Sequence, residues 1–135
     1  MKGRKRLVLI DTLGNGLASR VVPASASDAA AIAFWDEVAA QHPLLGQGQL
    51  VVGDSSFAGL FAEHLTRQYG LRFEKPGHIL LKKKNFCIHK KRWLVERTLA
   101  WLGNNRRLAK EYDRLLPRAN AWIMWANVRR ILKFC

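Results

Sequence analysis

The short apolar run Leu50-Val51-Val52-Gly53, which ends at Asp54, limits the possible folds of this chain more than any other segment. An apolar run of this length fits a strand that is buried on both faces, as in the middle of a parallel sheet. The residues after it predict a helix from about Phe57 to Tyr69, with Phe57, Leu60, Phe61 and Leu65 facing inward and Gly70 ending it. A buried strand that leads into a helix indicates an α/β fold.

The flanking segments add further strands and helices to this fold. Residues 5–11 and 17–22 are predicted to form a hairpin around the turn residues Gly14-Asn15-Gly16. A helix is predicted from about Asp28 to Ala40, capped by Ser27, and residues 71–74 alternate like a strand. Further helices are predicted over about 93–103, 105–115 and 117–133. Apolar residues at helical spacing support the first and last of these helices: Ala31, Phe34, Trp35 and Val38, and then Ala121, Trp125, Val128 and Leu132.

Positive charge is concentrated in the second half of the chain. The 135 residues carry 23 Lys and Arg against 10 Asp and Glu, a formal net charge of +13. Residues 1–67 hold six basic and six acidic side chains, whereas residues 68–135 hold 17 basic and four acidic ones. Such a balance argues against an acidic binding surface and favours a polyanionic partner.

Several other classes of protein are not supported by the sequence. No stretch reaches the ~18 consecutive apolar residues of a membrane-spanning helix, so we expect no membrane partner. Cys87 and Cys135 form no CxxC pair or zinc spacing, which favours a reducing, cytoplasmic location. The four histidines also lack metal-type spacing, and we expect each to be a surface or hydrogen-bonded residue.

Two carboxylates are candidates for chemistry. Asp54 follows the predicted central strand, where reactive groups collect in open α/β sheets, although a cap of the next helix also fits this position. Glu96 lies in an apolar helical stretch and needs a partner or a metal if it is buried. Alternatively, Glu96 pairs on the surface with Arg92, four residues earlier. The basic segment between Asp54 and Glu96 favours phosphodiester chemistry, in which carboxylates hold Mg²⁺ and cations hold the nucleic-acid backbone.

Four segments then occur in a characteristic order. They are Lys2-Gly3-Arg4-Lys5-Arg6 running into Val8-Leu9-Ile10-Asp11-Thr12-Leu13-Gly14, then residues 23–28, then Val52-Gly53-Asp54-Ser55-Ser56-Phe57-Ala58-Gly59, and then Arg92-Trp93-Leu94-Val95-Glu96-Arg97 through Lys110. Together they resemble the C-terminal part of a bacterial insertion-sequence transposase of the DDE class, which has a ribonuclease H-like catalytic domain. The last segment is specific, whereas the others are weak when taken alone.

The resemblance implies a site and a reaction. Members of the class use Asp, Asp and Glu to hold two Mg²⁺ (or Mn²⁺) ions. Asp54 matches the second Asp and Glu96 the Glu, which makes both of them catalytic and metal-binding residues, and Arg92 matches a residue that assists at the DNA backbone. The chain departs from the class at Leu7 and at Ser56-Phe57, which bears on DNA contacts. We expect DNA to be bound by Lys82, Lys83, Lys84, Lys90, Lys91, Arg97, Arg106, Arg107 and Lys110.

The resemblance also implies that one strand is missing. In this class the first catalytic Asp lies on a strand before the Gly3-Arg4-Lys5-Arg6 segment. We therefore expect residues 1–135 to form a single, N-terminally truncated catalytic domain. Its fold would be an incomplete ribonuclease H-like α/β fold, with an N-terminal hairpin, a mixed sheet and C-terminal helices but without the first central strand. Asp11 is expected to hold a strand end or turn, because the implied topology places it about 17 Å from Asp54.

The function that follows is DNA transposition. We expect Mg²⁺-dependent cleavage and strand transfer at insertion-sequence ends when the upstream part or a full-length transposase complements the chain, and no activity from the chain alone. The expected partners are double-stranded DNA of the transposon ends and target, the upstream part, and further copies of the chain. The alternative is a non-catalytic DNA-binding remnant or regulator of the element, which needs the basic segment but neither Asp54 nor Glu96.

Overall fold

The computed structural model describes residues 3–75, 90–110 and 113–134, and the side chains of residues 90–92 and 134 lie outside that description. Strands and helices alternate in the first part of the chain, and helices follow in the second. The strands are β1 (Arg4–Ile10), β2 (Gly16–Pro23), β3 (Leu50–Val52) and β4 (Arg72–Glu74). The helices are α1 (Asp28–Gln41), α2 (Leu60–His64), α3 (Lys90–Gly103), α4 (Arg106–Ala109) and α5 (Leu116–Phe134), with 3₁₀ turns at Pro43–Gln47 and Ser55–Phe57.

The chain divides into two compact units. One, here called the hairpin unit, consists of Met1–Ser25 and Trp93–Cys135, and the other, the central unit, of Ala26–Arg92. Among the described residues, β1 and β2 pair antiparallel, and β3 and β4 pair parallel. This mixed architecture confirms the predicted α/β class and is compatible with a partial ribonuclease H-like fold. The single domain over residues 1–135 stays a prediction.

The hairpin unit packs the helices α3, α4 and α5 and the β1–β2 hairpin around one apolar cluster. The hairpin has a regular register from Arg4 opposite Pro23 to Leu9 opposite Ala18, and a bulge follows before Ile10 pairs with Gly16. Helix α5 packs against β2. The buried cluster contains Val21, Leu102, Leu108, Ala119, Ile123 and Ala126. The predicted hairpin is confirmed, and its inner face forms part of this cluster.

Helix α5 buries a different face from its most regular apolar stripe. The side chains of Ala119, Ile123 and Ala126 are buried, whereas Trp125 is 63% exposed and Leu132 is 67% exposed. Both sets have helical spacing, so periodicity alone does not select between them. The buried face is the one that meets Val21 of β2, Leu102 and Leu108 in the apolar cluster.

The central unit is built on the buried face of α1. Ala31, Phe34, Trp35 and Val38 are all buried, as their spacing predicts. Strand β3 pairs in parallel with β4, Leu50 opposite Arg72 and Val52 opposite Glu74. All three residues of β3 are half-buried, so the expectation that both faces are buried is wrong. A three-residue strand in a two-stranded sheet has too few neighbours to be covered on both faces.

Two predicted helices are shorter than expected. In place of one helix over about 57–69 there are the turn Ser55–Phe57, helix α2 and a π-helical turn at Leu65–Tyr69. Gly59 leaves the helical region at φ −91° and ψ −123°, which separates the turn from α2. The helix expected over 105–115 is reduced to α4, because Lys110 is extended at φ −136° and ψ 151°. No helix among the described residues is long and apolar enough to cross a membrane.

Candidate functional site

Asp54 stands at the carboxyl end of β3. A Cβ on the preceding Gly53 would lie 2.9 Å from the ring of Phe73, so a larger residue there would have to displace that ring. Asp54 itself is exposed, and its Oδ1 accepts the Ser55 N–H at 2.6 Å and the Ser55 hydroxyl at 3.2 Å. The carboxylate therefore caps the next turn while remaining accessible to solvent.

Glu96 lies on the exposed side of α3. Its neighbours at 97 and 98 face the hairpin instead, because Arg97 and Thr98 contact the β1–β2 turn. Asp54 belongs to the central unit and Glu96 to the hairpin unit, so their pairing at one metal site stays a prediction. The backbone of Arg92 belongs to α3, but the side chains of Arg92, Lys90 and Lys91 lie outside the described part of the structure.

The predicted DNA-binding residues fall into three groups. Lys82, Lys83 and Lys84 lie outside the described residues. Arg106, Arg107 and Lys110 are exposed at and just after α4, and the Arg107 guanidinium lies 5.2 Å from the centre of the Trp122 ring. Arg97 is partly buried and stacks 4.7 Å from the ring of Trp93 and 4.4 Å from that of Trp101. Of the predicted DNA-binding residues whose side chains the structure describes, those at α4 are exposed, whereas Arg97 is held within its own unit.

Asp11 holds the hairpin turn together. Its Oδ1 accepts the N–H groups of Leu13 and Asn15, each at 2.8 Å, and its Oδ2 accepts the Asn15 side-chain amide at 3.0 Å. Partial burial acts to raise the pKa of Asp11, but the hydrogen bonds from Asn15, Leu13 and Gly14 outweigh it and lower the pKa. Both carboxylate oxygens are thus engaged in the turn, which agrees with the predicted structural role of Asp11.

The sequence did not indicate a second carboxylate network, in the central unit. Asp36 Oδ1 lies 2.6 Å from the Tyr69 hydroxyl and 2.7 Å from His64 Nε2. The hydrogen bond to Asp36 raises the pKa of Tyr69 to about 12. Burial acts to raise the pKa of Asp36, but the hydrogen bonds from Tyr69 and His64 lower it. His64 is therefore a hydrogen-bonded residue, as expected, although its spacing in the sequence to Asp36 and Tyr69 gives no sign of this network.

The candidate metal ligands are of the chemical type that binds divalent cations. Carboxylate oxygens are the ligands that Mg²⁺ prefers, and the exposed carboxylate of Asp54 is accessible to a metal ion from solvent. Within the described residues, no group of three or more His, Cys, Asp and Glu side chains is placed to hold a metal ion. Asp54 and Glu96 would supply two ligands of the expected three.

Comparison with known proteins identifies the family. The model of the transposase DDE domain matches residues 1–129, nearly the whole chain. The chain belongs to the transposase DDE family. This match confirms the resemblance noted from the sequence segments, and it makes transposition the general function of this DDE domain and DNA its partner. Neither the search of curated proteins nor the search of solved structures found a match.

Proposed function

We propose that this DDE domain carries two of the three metal-binding carboxylates of a transposase, Asp54 and Glu96, and that the upstream part supplies the third. The family match over residues 1–129 carries the proposal. Asp54 supports it, because its exposed carboxylate follows a parallel strand, a position where functional groups of α/β proteins collect. The hydrogen bonds of Asp11 support it as well. Both oxygens of this carboxylate are used within the turn, which argues against Asp11 as the remaining metal-binding residue.

The chemistry divides between the carboxylates and the cations. Divalent metal ions, when bound, activate the attacking water or 3′-hydroxyl and stabilise the leaving oxygen. Asp54 and Glu96 would bind the metal ion, and Arg92 would contact the DNA backbone. The exposed cations at Arg106, Arg107 and Lys110 hold the flanking phosphates, together with the basic residues from Lys82 onward. The reaction is cleavage and strand transfer at the ends of a bacterial insertion sequence, so the protein works on DNA in the cytoplasm.

DNA binding is the first test. Fluorescence anisotropy with a labelled duplex should show affinity that falls steeply between about 50 and 200 mM salt. Replacing Arg106, Arg107 and Lys110 by Gln should lower the slope of log affinity against log salt by as much as about 3, since each lost phosphate contact removes ~0.9. The control is Arg67→Gln, an exposed arginine of the central unit, which should leave the slope unchanged. Salt-insensitive binding would contradict the proposed DNA contacts.

Cleavage is the second test. The chain alone should not nick a plasmid carrying the element ends in Mg²⁺. The chain joined to the strand encoded immediately upstream in the element should do so. Asp54→Asn and Glu96→Gln should each abolish that nicking, whereas Glu63→Gln, at an exposed glutamate of α2, should not. Nicking that survives both carboxylate changes would show that the chemistry lies elsewhere. Salt-dependent binding without any nicking of the joined chain would favour the alternative, a DNA-binding regulator of the element.

A further inference from the structure

The turn between β1 and β2 presents its carbonyl groups to the rest of the hairpin unit. The Asp11 carboxylate accepts hydrogen bonds from the N–H groups of Leu13 and Asn15, and the Gly14 N–H donates to the Asp11 carbonyl at 3.1 Å. The Asp11 N–H in turn donates to the Asn15 carbonyl at 3.0 Å. The N–H groups of Asp11, Leu13, Gly14 and Asn15 are thus satisfied within the turn, and the carbonyls of Leu13 and Gly14 accept hydrogen bonds from other elements.

Two consecutive side chains of helix α3 donate hydrogen bonds to these carbonyl groups. An Arg97 Nη donates to the Leu13 carbonyl at 2.9 Å, and the Thr98 hydroxyl lies 2.9 Å from the Gly14 carbonyl. Thr98 is only 2% exposed, so this hydrogen bond is shielded from water. Gly14 has φ +87°, and a Cβ there would lie 2.9 Å from Arg97 Nη2 and 3.0 Å from Thr98 Oγ1. Glycine is favoured at this position because residues with a side chain rarely adopt this φ, and because a Cβ would crowd the buried Thr98 hydroxyl.

Trp101 fixes the two guanidinium groups that reach the turn. Arg97 and Arg130 lie 4.4 Å and 4.5 Å from the centre of its ring. Arg130 donates to the Gly14 carbonyl at 2.9 Å and to Asn15 Oδ1 at 3.1 Å. Stacking on an indole restricts a flexible arginine side chain and adds attraction between the cation and the ring. The turn is thus held from α3 and from α5 at the same point.

We infer that Asp11 is a positioning residue for Glu96. It shapes the turn whose carbonyl groups bind Arg97 and Thr98, the two residues that follow Glu96 on α3. Two adjacent anchors on one helix fix both its rotation about its axis and its position along the axis. The inference rests on the proposed role of Glu96 as a metal ligand, because a ligand must be held to within about 0.5 Å to bind well.

The effect on metal use is the decisive measurement. In the joined chain that nicks element DNA, Asp11→Ala should raise the Mg²⁺ concentration for half-maximal nicking about 10- to 100-fold, the range found when a group that orients a metal ligand is lost. The affinity for the DNA duplex should be unchanged. Thr98→Val should also raise the Mg²⁺ concentration for half-maximal nicking. Thr98→Ser should leave that concentration at the wild-type value, since serine keeps the hydroxyl. Glu63→Ala, at an exposed residue of α2, is the control.

Amide hydrogen exchange of the chain without metal or DNA provides a readout separate from activity. Asp11→Ala should lower the protection of the α3 amides around residues 97–101, and Thr98→Ser should not. Unchanged protection would overturn the inference, as would reduced protection with an unchanged Mg²⁺ requirement, which would leave Asp11 a purely structural role. Nicking that persists in Glu96→Gln would overturn the proposed function and this inference together. If Glu96→Gln abolishes nicking but Asp11→Ala and Thr98→Val leave its Mg²⁺ requirement unchanged, only the inference about Asp11 is overturned.

Discussion

The hairpin unit and the central unit are stabilised in different ways. In the hairpin unit, side chains of α3 and α5 reach backbone groups of the β1–β2 turn more than 80 residues away, through Arg97, Thr98, Asn127 and Arg130. In the central unit, aromatic rings pack edge to face around Trp35 and Phe61, with centroids 5.8–6.2 Å apart. Hydrogen bonds fix direction and register, whereas ring packing mainly supplies buried area.

This difference suggests how each unit serves the proposed site. Glu96 lies on a helix that is held by directional contacts, so small changes at the turn should alter its placement. Asp54 follows a strand that is held by the ring of Phe73 and by the Gly53 N–H, which donates to the Glu74 carbonyl at 3.1 Å. Its position should depend chiefly on whether the aromatic cluster is intact. The following predictions separate the two cases, beginning with the largest expected effect.

Trp35→Ala should destabilise the protein most. Trp35 is 5% exposed and contacts the rings of Phe61 and Tyr69, and loss of a buried aromatic side chain typically costs about 3–5 kcal/mol. Urea unfolding followed by circular dichroism measures the change in the free energy of unfolding. Trp125→Ala removes the same side chain from an exposed position of α5 and should change that free energy by less than about 0.5 kcal/mol. Equal costs for the two variants would contradict the assignment of the core.

Asn127→Ala should destabilise the hairpin unit by about 1–3 kcal/mol. The Asn127 side chain accepts the Gly16 N–H at 3.1 Å and donates to the Gly16 carbonyl at 2.7 Å, and its removal leaves both groups without these partners. The same urea titration measures the loss, and Asn104→Ala, at an exposed position, provides the comparison. A cost no larger than that of Asn104→Ala would mean that the polar contacts do not hold α5 to the hairpin.

Tyr69→Phe should cost about 0.5–1.5 kcal/mol, because it removes the hydrogen bond to Asp36 but keeps the ring in the aromatic cluster. Ultraviolet titration of the wild type should contain a phenol that ionises near pH 12, and this signal should be absent from the variant. In the Asp36→Asn background the raised pKa should return toward its ordinary value. A Tyr69 phenol that titrates in the ordinary range in the wild type would contradict the contact.

The smallest effect is a pH dependence that both units should share. The pKa values of Asp11 and Asp36 are lowered in the folded protein. Their contributions to stability are therefore complete above the ordinary pKa of about 4 and are lost as the pH falls through the lower folded-state values. The free energy of unfolding should fall less steeply from about pH 5 to pH 2 in Asp11→Asn and in Asp36→Asn than in the wild type. Steeper acid loss in either variant would contradict the sign.

The predictable part of the fold rests on local patterns. The hairpin, the face of α1 and the strand before Asp54 follow from turn residues, helical spacing and a short apolar run, and the structure contains all of them. The π-helical turn at Leu65–Tyr69 and the short α4 were not predictable, because each depends on the conformation of a single residue or turn. The buried face of α5 was not predictable either, since two apolar stripes share the same helix.

The sequence by itself determined the family, the α/β class and the candidate carboxylates, because these depend on residue types at fixed spacings. The resemblance also implied a strand-end or turn role for Asp11, and the hydrogen bonds from Leu13 and Asn15 agree with the turn role. Only the tertiary structure decided which residues bind that loop from outside. Arg97, Thr98, Asn127 and Arg130 lie 84 to 116 residues away along the chain, and contacts over such separations leave no local pattern to detect.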